Sequence, residues 1–529
     1  EVAGTPELGA IGMGENMEVT SYLDKTLSSE LSGNMIDLCP VGALTSKPFS
    51  LTIRPWELNK TESIDVSDAV CSNIRLDTRN NEVMRILPIV NEDINEEWIS
   101  DKTRFSYDGL KFNRIDKPYI RKKNELEECS WDEALSFIEK KLKKIQGKRM
   151  AAVIGNQVDC ESIVLLKDLF HTFKSDNLLC SQNNANYQSI PRIAYTFNSS
   201  INGIEESDFC LLIGTNPRKE AAILNARIRK RYLQGNYDIF SIGPKLDLNY
   251  PCKFLEDNPN VLADTLNKRN LLSKKLAKAK KPMIIIGDNI FTRKDSKAVL
   301  HSICNLCTAF KIIQKRKKEI IWNGLNCLHY AASRVGALDL KFYASDYNFN
   351  LNTLYALSNQ NKLDFIYLLG VDQIDVRKLR NSFILYHGHH GDFGAEYSDV
   401  VLPGSAYSEK NATYVNTEGR LQTTFKACNP PGLAKEDWKI IVSIAKRLKK
   451  KFEYYDIHDV RKRLIKENKK IFSSQKMNID NEFVKFGKKG RLLDEKFSLP
   501  IDDFYLTDPI TKSSKVMNKC SNELKGNNK

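Results

Sequence analysis

Six short apolar runs, each closed by a glycine, recur through the middle of this 529-residue chain. They lie at 151–155, 209–214, 239–243, 283–287, 365–370 and 383–388. Runs of this kind, without alternating polar residues, are typical of strands that are buried on both faces of a parallel sheet. The stretches between them are long enough for crossover helices. The pattern therefore predicts an α/β fold with parallel sheets in more than one lobe.

The glycines that end these runs could serve in two ways. In nucleotide-binding enzymes, glycine-rich turns after a strand cradle phosphate groups. This sequence contains neither a G-x-G-x-x-G pattern nor a Walker pattern. We therefore expect these glycines to make tight turns.

Two local signals indicate further elements. Asn80 and Asn81 lie between two strand-like patches, which predicts a β-hairpin. Ser130 and Glu133 form the S-x-x-E pattern of a capping box, and apolar residues follow at helical spacing. We expect this helix to continue until Gly147 stops it.

Composition restricts the class of protein. Hydrophobic residues make up 41% and charged residues 28% of the chain, which is typical of soluble globular proteins. No run approaches 18 apolar residues, so we expect membrane contact only through partner subunits. The net charge of +14 lies in scattered lysine pairs interleaved with acids, without alternating aromatic residues, so we expect no nucleic-acid partner. The twelve cysteines predict mostly reduced, buried thiols.

Cys39 is the strongest candidate site residue. It begins the run Cys-Pro-Val-Gly-Ala-Leu, in which proline ends the preceding turn and small residues let the backbone pack closely. In ferredoxin-type domains, the last thiolate ligand of a [4Fe–4S] cluster occurs in this kind of sequence. The alternative is an ordinary buried thiol. A cubane needs four thiolates and the next cysteine is Cys71, so we expect the partner cysteines upstream of Glu1, in a longer iron–sulfur protein.

Nine motifs carry a resemblance to a known family. They lie at 4–12, 30–48, 54–58, 60–65, 90–102, 388–392, 399–404, 410–420 and 503–508. They resemble the largest iron–sulfur subunit of NADH:ubiquinone oxidoreductase (respiratory complex I), in its mitochondrial and α-proteobacterial form. The resemblance implies a core subunit that takes part in electron transfer from NADH to ubiquinone. It implies no independent catalytic site in this chain.

The same resemblance implies cofactors, partners and location. Cys39 would be the fourth ligand of a [4Fe–4S] cluster whose other ligands lie upstream, together with a [2Fe–2S] and a further [4Fe–4S] centre. The partners would be other peripheral-arm subunits, including the NADH-binding flavoprotein side and the quinone module. The location would be the matrix side of the mitochondrial inner membrane, or the cytoplasmic side of a bacterial inner membrane.

From about residue 59 the chain also looks like the molybdopterin oxidoreductases, such as formate dehydrogenases. Those enzymes open with a [4Fe–4S] site spaced C-x2-C-x3-C-x27-C. On this sequence the spacing falls on Asp65, Asp68, Ser72 and Ser100, and Cys71 lies one residue off the third position. Hard oxygen donors do not replace four thiolates around a cubane. We therefore predict no cluster at these positions.

The molybdenum site of that second family also looks lost. The runs 399–403 and 416–420 resemble elements of the pterin-binding lobe, but no Cys, Ser or selenocysteine stands in a metal-ligand context. We expect the lobe as a scaffold without molybdenum. His387, His389 and His390 could form a transition-metal site. Adjacent histidines in a glycine-rich turn more often hydrogen-bond locally.

Together these features predict a multi-lobed, molybdopterin-oxidoreductase-like α/β body behind the tail of a ferredoxin-like domain. We expect four parts: 1–57 in the ferredoxin-like domain, 58–115 as a degenerate cluster domain, 116–445 as the α/β body, and 446–529 as a lysine-rich helical or irregular tail. Two alternatives remain. One is a molybdopterin-dependent oxidoreductase of the formate dehydrogenase type, and the other is an interaction protein without a cofactor.

Overall fold

A computed structural model of the chain describes residues 1–21, 27–316, 319–474 and 483–527. Parts of the predicted segments 1–57 and 446–529 therefore lie outside the described residues. The strands are β1 Leu8–Ile11, β2 Glu18–Ser21, β3 Asn59–Ile64, β4 Asn73–Arg79, β5 Glu82–Pro88, β6 Tyr119–Lys122, β7 Glu125–Glu128, β8 Met150–Ile154, β9 Leu178–Leu179, β10 Phe209–Ile213, β11 Asp238–Ile242, β12 Lys253–Phe254, β13 Pro282–Gly287, β14 Ile313–Arg316, β15 Glu319–Asn323, β16 Leu325–Leu328, β17 Phe365–Leu369, β18 Phe383–Gly388, β19 Val400–Pro403, β20 Ala412–Val415 and β21 Leu421–Thr424.

The α-helices follow the same chain order. They are α1 Asn34–Leu38, α2 Asp101–Phe105, α3 Trp131–Leu142, α4 Cys160–Thr172, α5 Pro217–Glu220, α6 Ala222–Leu233, α7 Asn260–Leu266, α8 Leu271–Leu276, α9 Ser296–Ala309, α10 Arg334–Asp339, α11 Leu351–Asn359, α12 Phe393–Glu396, α13 Asp437–Arg447, α14 Ile457–Glu467, α15 Lys469–Phe472, α16 Pro509–Ser513 and α17 Lys515–Asn527.

The six apolar runs form the interior of two sheets. Three of them become β8, β17 and β18 in a seven-stranded sheet of order β7-β6-β19-β18-β17-β8-β9, which is parallel except for the β6–β7 hairpin at one edge. The other three become β10, β11 and β13 in a parallel five-stranded sheet of order β12-β11-β10-β13-β16. Every residue of β8, β10 and β17 is buried. The prediction of parallel α/β architecture in more than one lobe is confirmed.

The glycines at the strand ends let neighbouring turns pack closely. A Cβ atom on Gly155 would lie 1.7 Å from the carbonyl oxygen of Gly370, and one on Gly287 would lie 2.0 Å from that of Gly214. Gly214 and Gly370 also have φ of 58° and 60°, in the left-handed region that favours glycine. Their role in tight turns is therefore required by backbone packing.

A smaller antiparallel sheet precedes the body. Its order is β3-β4-β5, and the predicted hairpin joins β4 to β5. Asn80 and Asn81 have φ of 49° and 66°, the left-handed conformation of a two-residue hairpin turn. The hairpin prediction is confirmed. Asparagine suits both turn positions, because it tolerates this conformation better than most residues.

The helix that starts after Ser130 is only partly as expected. The Ser130 hydroxyl accepts from the Glu133 backbone N–H, and the Glu133 carboxylate accepts in return from the Ser130 backbone N–H, so the capping box is present. The helix ends at Leu142, however, and the prediction that Gly147 stops it is wrong. A Cβ on Gly147 would lie 1.7 Å from the carbonyl oxygen of Phe173, so this glycine allows a close approach to the loop after α4.

The C-terminal part lies over the body as helices and irregular chain. Gly487 fits against the backbone of His301, and the backbone N–H of Phe497 donates to the Asp257 carbonyl. α16 and α17 pack near α2, where Asp108 accepts from the start of α17. In the described part of this segment, the helices α14, α15, α16 and α17 alternate with irregular chain. Among the described residues no helix is long and apolar enough to cross a membrane.

Candidate functional site

Cys39 directly follows the short helix α1. Its backbone N–H donates to the Met35 carbonyl at 3.1 Å, which closes the helix. The chain then turns back through Gly42, whose φ of 69° needs glycine or a strained residue. This turn brings the backbone N–H of Leu44 to 3.4 Å from the Cys39 sulfur. The sequence after Cys39 therefore wraps the backbone around its own sulfur.

The electrostatics of the turn favour the thiolate. Backbone N–H groups of Leu44 and Val41 lower the pKa of the Cys39 thiol, since they stabilise negative charge on sulfur. The thiol is partly exposed, beside Leu38 and Val41, whose side chains are 60% and 81% exposed. Cys39 is thus a partly exposed thiol in surroundings that favour its thiolate form. In the described part of the chain, no group of three or more His, Cys, Asp or Glu residues could hold a metal ion.

α1 is docked on the segment that leads into α2. The Asn34 side chain donates to the Ile99 carbonyl at 2.8 Å and accepts from the Ile99 N–H at 3.2 Å. The Asp101 carboxylate accepts from the Gly33 N–H at 2.7 Å and from the Ser32 hydroxyl. A Cβ on Gly33 would lie 2.7 Å from the Arg104 side chain, so glycine permits this close contact. The position of Cys39 is therefore fixed from the α2 side.

The four positions at which the second family carries cluster thiolates are all buried and lie together. The Asp65 carboxylate accepts from the Thr103 hydroxyl at 2.8 Å, and that hydroxyl lies 2.8 Å from the Ser100 hydroxyl. The backbone N–H of Asp65 donates to the Ser72 carbonyl at 2.9 Å. Hydrogen bonds thus join Asp65 to Ser100, through Thr103, and to the backbone of Ser72.

Asp68 and Cys71 complete this polar site. The Asp68 carboxylate accepts from the Val70 N–H at 2.9 Å. Burial, with a smaller contribution from the charge of Asp65, raises the pKa of Asp68 to about 7. Cys71 is fully buried, with φ of 56°, and burial raises its pKa well above the ordinary value. A protonated thiol of this kind is a poor metal ligand.

Lys102 supplies the positive charge of the polar site. Its ammonium group donates to the Ser67 carbonyl at 3.3 Å and to the Thr507 hydroxyl at 3.1 Å, and it lies 5.0 Å from the centre of the Phe504 ring. Lys102 is 1% exposed. The roles of Lys102 and Thr103 are not predicted from the sequence, although they lie two and three residues after Ser100 and their polar side chains could have been recognised as candidates for this site.

The histidine group is engaged locally. His387 lies between the Tyr367 hydroxyl, 2.8 Å from Nδ1, and the Asp437 carboxylate, 2.9 Å from Nε2. His390 contacts His389 through Nδ1 at 2.5 Å, and its Nε2 lies 2.8 Å from the Gly109 carbonyl. Burial lowers the pKa of His390 to about 3, so its ring is neutral. The expectation of local hydrogen bonding is confirmed.

A buried polar cluster lies where strands of the two sheets end. Arg334 is fully buried; it donates to the Cys180 carbonyl, and its guanidinium lies 5.3 Å from the Tyr187 ring centre. The Tyr187 hydroxyl donates to Asp288, which is 2.8 Å from His329 Nδ1. In open α/β folds this edge is where ligands bind. Here it is filled by large side chains of the chain itself.

Sequence reasoning also misses a Cys-x-x-Cys pair, Cys304 and Cys307 on α9. Both are buried in the largest hydrophobic core, and burial raises the pKa of each thiol. Their spacing is a known signal for redox or metal chemistry. Their surroundings instead favour two protonated thiols that pack in the core. All twelve cysteines are free.

Family models match four successive stretches of the chain. Residues 1–45 match the ferredoxin-like domain of NADH-quinone oxidoreductase subunit 3, and 58–108 match the 4Fe-4S domain of the NADH-ubiquinone oxidoreductase NDSU1/NuoG-like proteins. Residues 114–447 match molybdopterin oxidoreductase, and 473–520 match the C-terminal part of the NuoG-type component of NADH-ubiquinone oxidoreductase.

Full-length relatives agree with these matches. The chain is 45% identical over 553 residues to the NADH-ubiquinone oxidoreductase 75 kDa subunit of Reclinomonas americana, covering 100% of this chain and 77% of the relative. It is 46% identical to the mitochondrial 78 kDa subunit of Candida albicans, with 98% and 72% covered. It is 44% identical to the corresponding NADH-quinone oxidoreductase protein of Rickettsia conorii, with 98% and 75% covered.

A solved structure shares the fold of the body. Acetylene hydratase from Pelobacter acetylenicus superposes with a TM-score of 0.57 over 74% of this chain and 69% of its own, at 15% sequence identity. At 15% sequence identity, this structural similarity is evidence for a shared fold alone.

Proposed function

The chain belongs to the family of the large iron–sulfur subunit of NADH:ubiquinone oxidoreductase, within the wider molybdopterin oxidoreductase family, and on that premise we propose that it passes electrons as part of that enzyme. It is a subunit of a respiratory, proton-translocating complex that transfers electrons from NADH to ubiquinone through iron–sulfur clusters. The chain itself contributes one cluster ligand, Cys39, and a large scaffold.

The observation that carries this proposal is the turn around Cys39. Backbone N–H groups point at the sulfur and lower its pKa, as a thiolate ligand requires. The sulfur is partly exposed, so thiolates outside residues 1–529 can reach the same metal centre. A [4Fe–4S] cluster bound there would exchange a single electron. Cys39 would hold one iron and orient the cluster against the 41–44 backbone.

The full cofactor set of the proposal is larger. It comprises the [4Fe–4S] cluster on Cys39, with three further thiolates upstream, and a [2Fe–2S] and another [4Fe–4S] centre in the same upstream part. No cluster is expected at the positions of Asp65 and Ser100, whose side chains are linked by hydrogen bonds through Thr103. No molybdenum is expected in the body, where Arg334 and its neighbours occupy the strand ends.

The proposed organisation follows from these roles. Residues 1–57 complete the ferredoxin-like domain, 58–115 form the degenerate cluster domain, 116–445 form the α/β scaffold, and 446–529 cover it. The partners are other peripheral-arm subunits, on the flavoprotein side and in the quinone module. The subunit would sit peripherally on the matrix side of the mitochondrial inner membrane or its bacterial equivalent.

Electron paramagnetic resonance of the assembled complex tests the proposal. Cys39→Ala should remove one low-temperature cluster signal, with a matching loss of iron and acid-labile sulfide. Cys129→Ala, at another partly exposed cysteine, should leave every signal intact. An unchanged spectrum in Cys39→Ala would exclude the thiol from the ligand set. Bound molybdenum in the purified complex, traced to this subunit, would favour the formate dehydrogenase type instead.

A further inference from the structure

We propose that Asp101 and Arg104 are positioning residues for Cys39, and that the charge of Arg104 helps to set the reduction potential of the cluster that Cys39 holds. The inference rests on the proposed function of Cys39. It concerns two residues outside the ligand turn, both on α2, which directly follows the last emptied thiolate position.

α1 needs outside support to hold Cys39 in one place. It has five residues, far below the length at which an isolated helix is stable in water. Its first residue, Asn34, is held by the reciprocal hydrogen bonds with Ile99. The orientation of the helix, and of the sulfur at its end, is therefore imposed by the segment against which it packs.

Asp101 fixes the start of α1. Its carboxylate accepts from the Gly33 N–H and the Ser32 hydroxyl, where a helix has unpaired N–H groups. The backbone N–H of Asp101 in turn donates to the Glu30 carbonyl at 2.8 Å. Three contacts from one residue thus join the two segments just before α1 begins.

Arg104 spans the length of α1. Its Nη2 donates to the Asn34 side-chain oxygen at 3.0 Å and to the Asp37 carboxylate at 2.5 Å. The Arg104 side chain is only 4% exposed, whereas that of Asp37 is 32% exposed. Asn34 is the first residue of the helix, and Asp37 lies two residues before Cys39. One guanidinium therefore links the start of the helix to the turn that carries the ligand.

The ion pair has an electrostatic consequence at the cluster. Arg104 neutralises Asp37, the ionisable side chain closest to Cys39 in the sequence. Net charge near a cluster shifts its potential, because reduction adds a negative charge. Without Arg104 the carboxylate is uncompensated, and the cluster becomes harder to reduce. Without Asp37 the guanidinium is uncompensated, and the cluster becomes easier to reduce.

α2 serves two sites from two faces. Thr103, together with the cap residue Ser100, joins the polar site around Asp65. Asp101 and Arg104, three residues apart and so on one face of the helix, contact α1. The sequence after the emptied thiolate position is thus still needed, since it supports the neighbouring ligand Cys39.

Redox titration of the assembled complex, followed by electron paramagnetic resonance, tests the inference. The midpoint potential of the signal assigned through Cys39→Ala should move to more negative values in Arg104→Gln and to more positive values in Asp37→Asn. Arg104→Lys, which keeps the charge, should remain nearer to the wild type than Arg104→Gln. Asp101→Asn should shift the g values of the same signal.

A matched control separates positioning from general stability. The Arg293 side chain is 7% exposed; it pairs with Asp295 and donates to the carbonyls of Glu495 and Lys496. Arg293→Gln should lower the melting temperature as Arg104→Gln does, yet leave the midpoint potential and the g values unchanged. Equal potentials in Arg104→Gln, Asp37→Asn and wild type would overturn the inference and leave the ligand role of Cys39 standing. An unchanged spectrum in Cys39→Ala would instead overturn the proposed function.

Discussion

The Asp65 carboxylate and the Thr103 hydroxyl are 2.8 Å apart, although 38 residues separate them in the chain. Through this contact, and through the hydrogen bond between Thr103 and Ser100, positions 65 and 100 are joined. Hydrogen bonds between buried side-chain oxygens therefore support this part of the domain.

Cluster signals should not depend on this network. Asp65→Asn and Ser100→Ala each change one side chain of the hydrogen-bonded network and nearly keep its volume. We therefore expect every cluster signal of the assembled complex to persist. The melting temperature should fall, because a lost buried hydrogen bond costs about 1 kcal/mol. Disappearance of any signal in either variant would mean that these positions do carry a cluster.

Stability should depend on pH through Asp68. Its pKa is about 7 in the folded chain, against 3.8 as the ordinary value. The folded state therefore keeps the proton while the unfolded state loses it, so Asp68 destabilises the fold progressively as the pH rises from about 4 to about 7. The slope is at most about 1.4 kcal/mol per pH unit. In thermal melts, the advantage of Asp68→Asn over wild type should grow across this range and then level off.

Asp132→Asn controls for the loss of one negative charge, since its side chain is 77% exposed. This variant should show no comparable growth in melting temperature relative to wild type between the two pH limits. A constant difference for Asp68→Asn across the range would contradict the proposed titration.

Removal of the Lys102 ammonium should destabilise the domain. Lys102→Met keeps an unbranched side chain but leaves the Thr507 hydroxyl and the Ser67 carbonyl without their donor. We expect a loss of about 1–3 kcal/mol, the usual cost of unsatisfied buried polar groups. Lys451→Met, at a side chain that is 88% exposed, should change stability by less than about 0.5 kcal/mol. Equal melting temperatures for the two variants would argue against a stabilising role of Lys102 in the polar site.

The close approach of strand ends should make Gly287 irreplaceable. In Gly287→Ala the new methyl group meets the Gly214 carbonyl at 2.0 Å, so two turns of the five-stranded sheet must move apart. Overpacking of this kind costs about 1–3 kcal/mol or more. Gly9→Ala is the control, since nothing lies within 4 Å of its Cβ position. Denaturant unfolding that gave the same midpoint for both variants would disprove the backbone contact.

The parallel body could be predicted from the sequence because a strand buried on both faces leaves a continuous apolar run, such as 209–214. The hairpin at Asn80 and Asn81 could also be predicted, because its signal lies in consecutive residues. The end of α3 could not be predicted in this way, because Gly147 does not end the helix and instead allows a close contact with Phe173. Such a contact joins segments whose proximity exists only in the folded chain.

In the candidate site, too, some features could be predicted from the sequence and others could not. The turn around Cys39 is formed by consecutive residues, so its form could be expected from the sequence. The support of that turn by Arg104 and Asp101 depends on contacts across about 70 residues. The polar site around Asp65 and Lys102 also depends on Thr507, which is 405 residues from Lys102. No local pattern carries that information.

The contact between Lys102 and Thr507 also constrains the order in which the subunit folds during synthesis. A ribosome finishes residues 58–108 long before it reaches the segment around Thr507, so the nascent domain must wait for its last partner. Contacts this remote in sequence form late and slowly. A variant truncated before Thr507 would therefore leave the Lys102 ammonium with the Ser67 carbonyl but without the Thr507 hydroxyl, so this domain would never gain its last buried hydrogen bond.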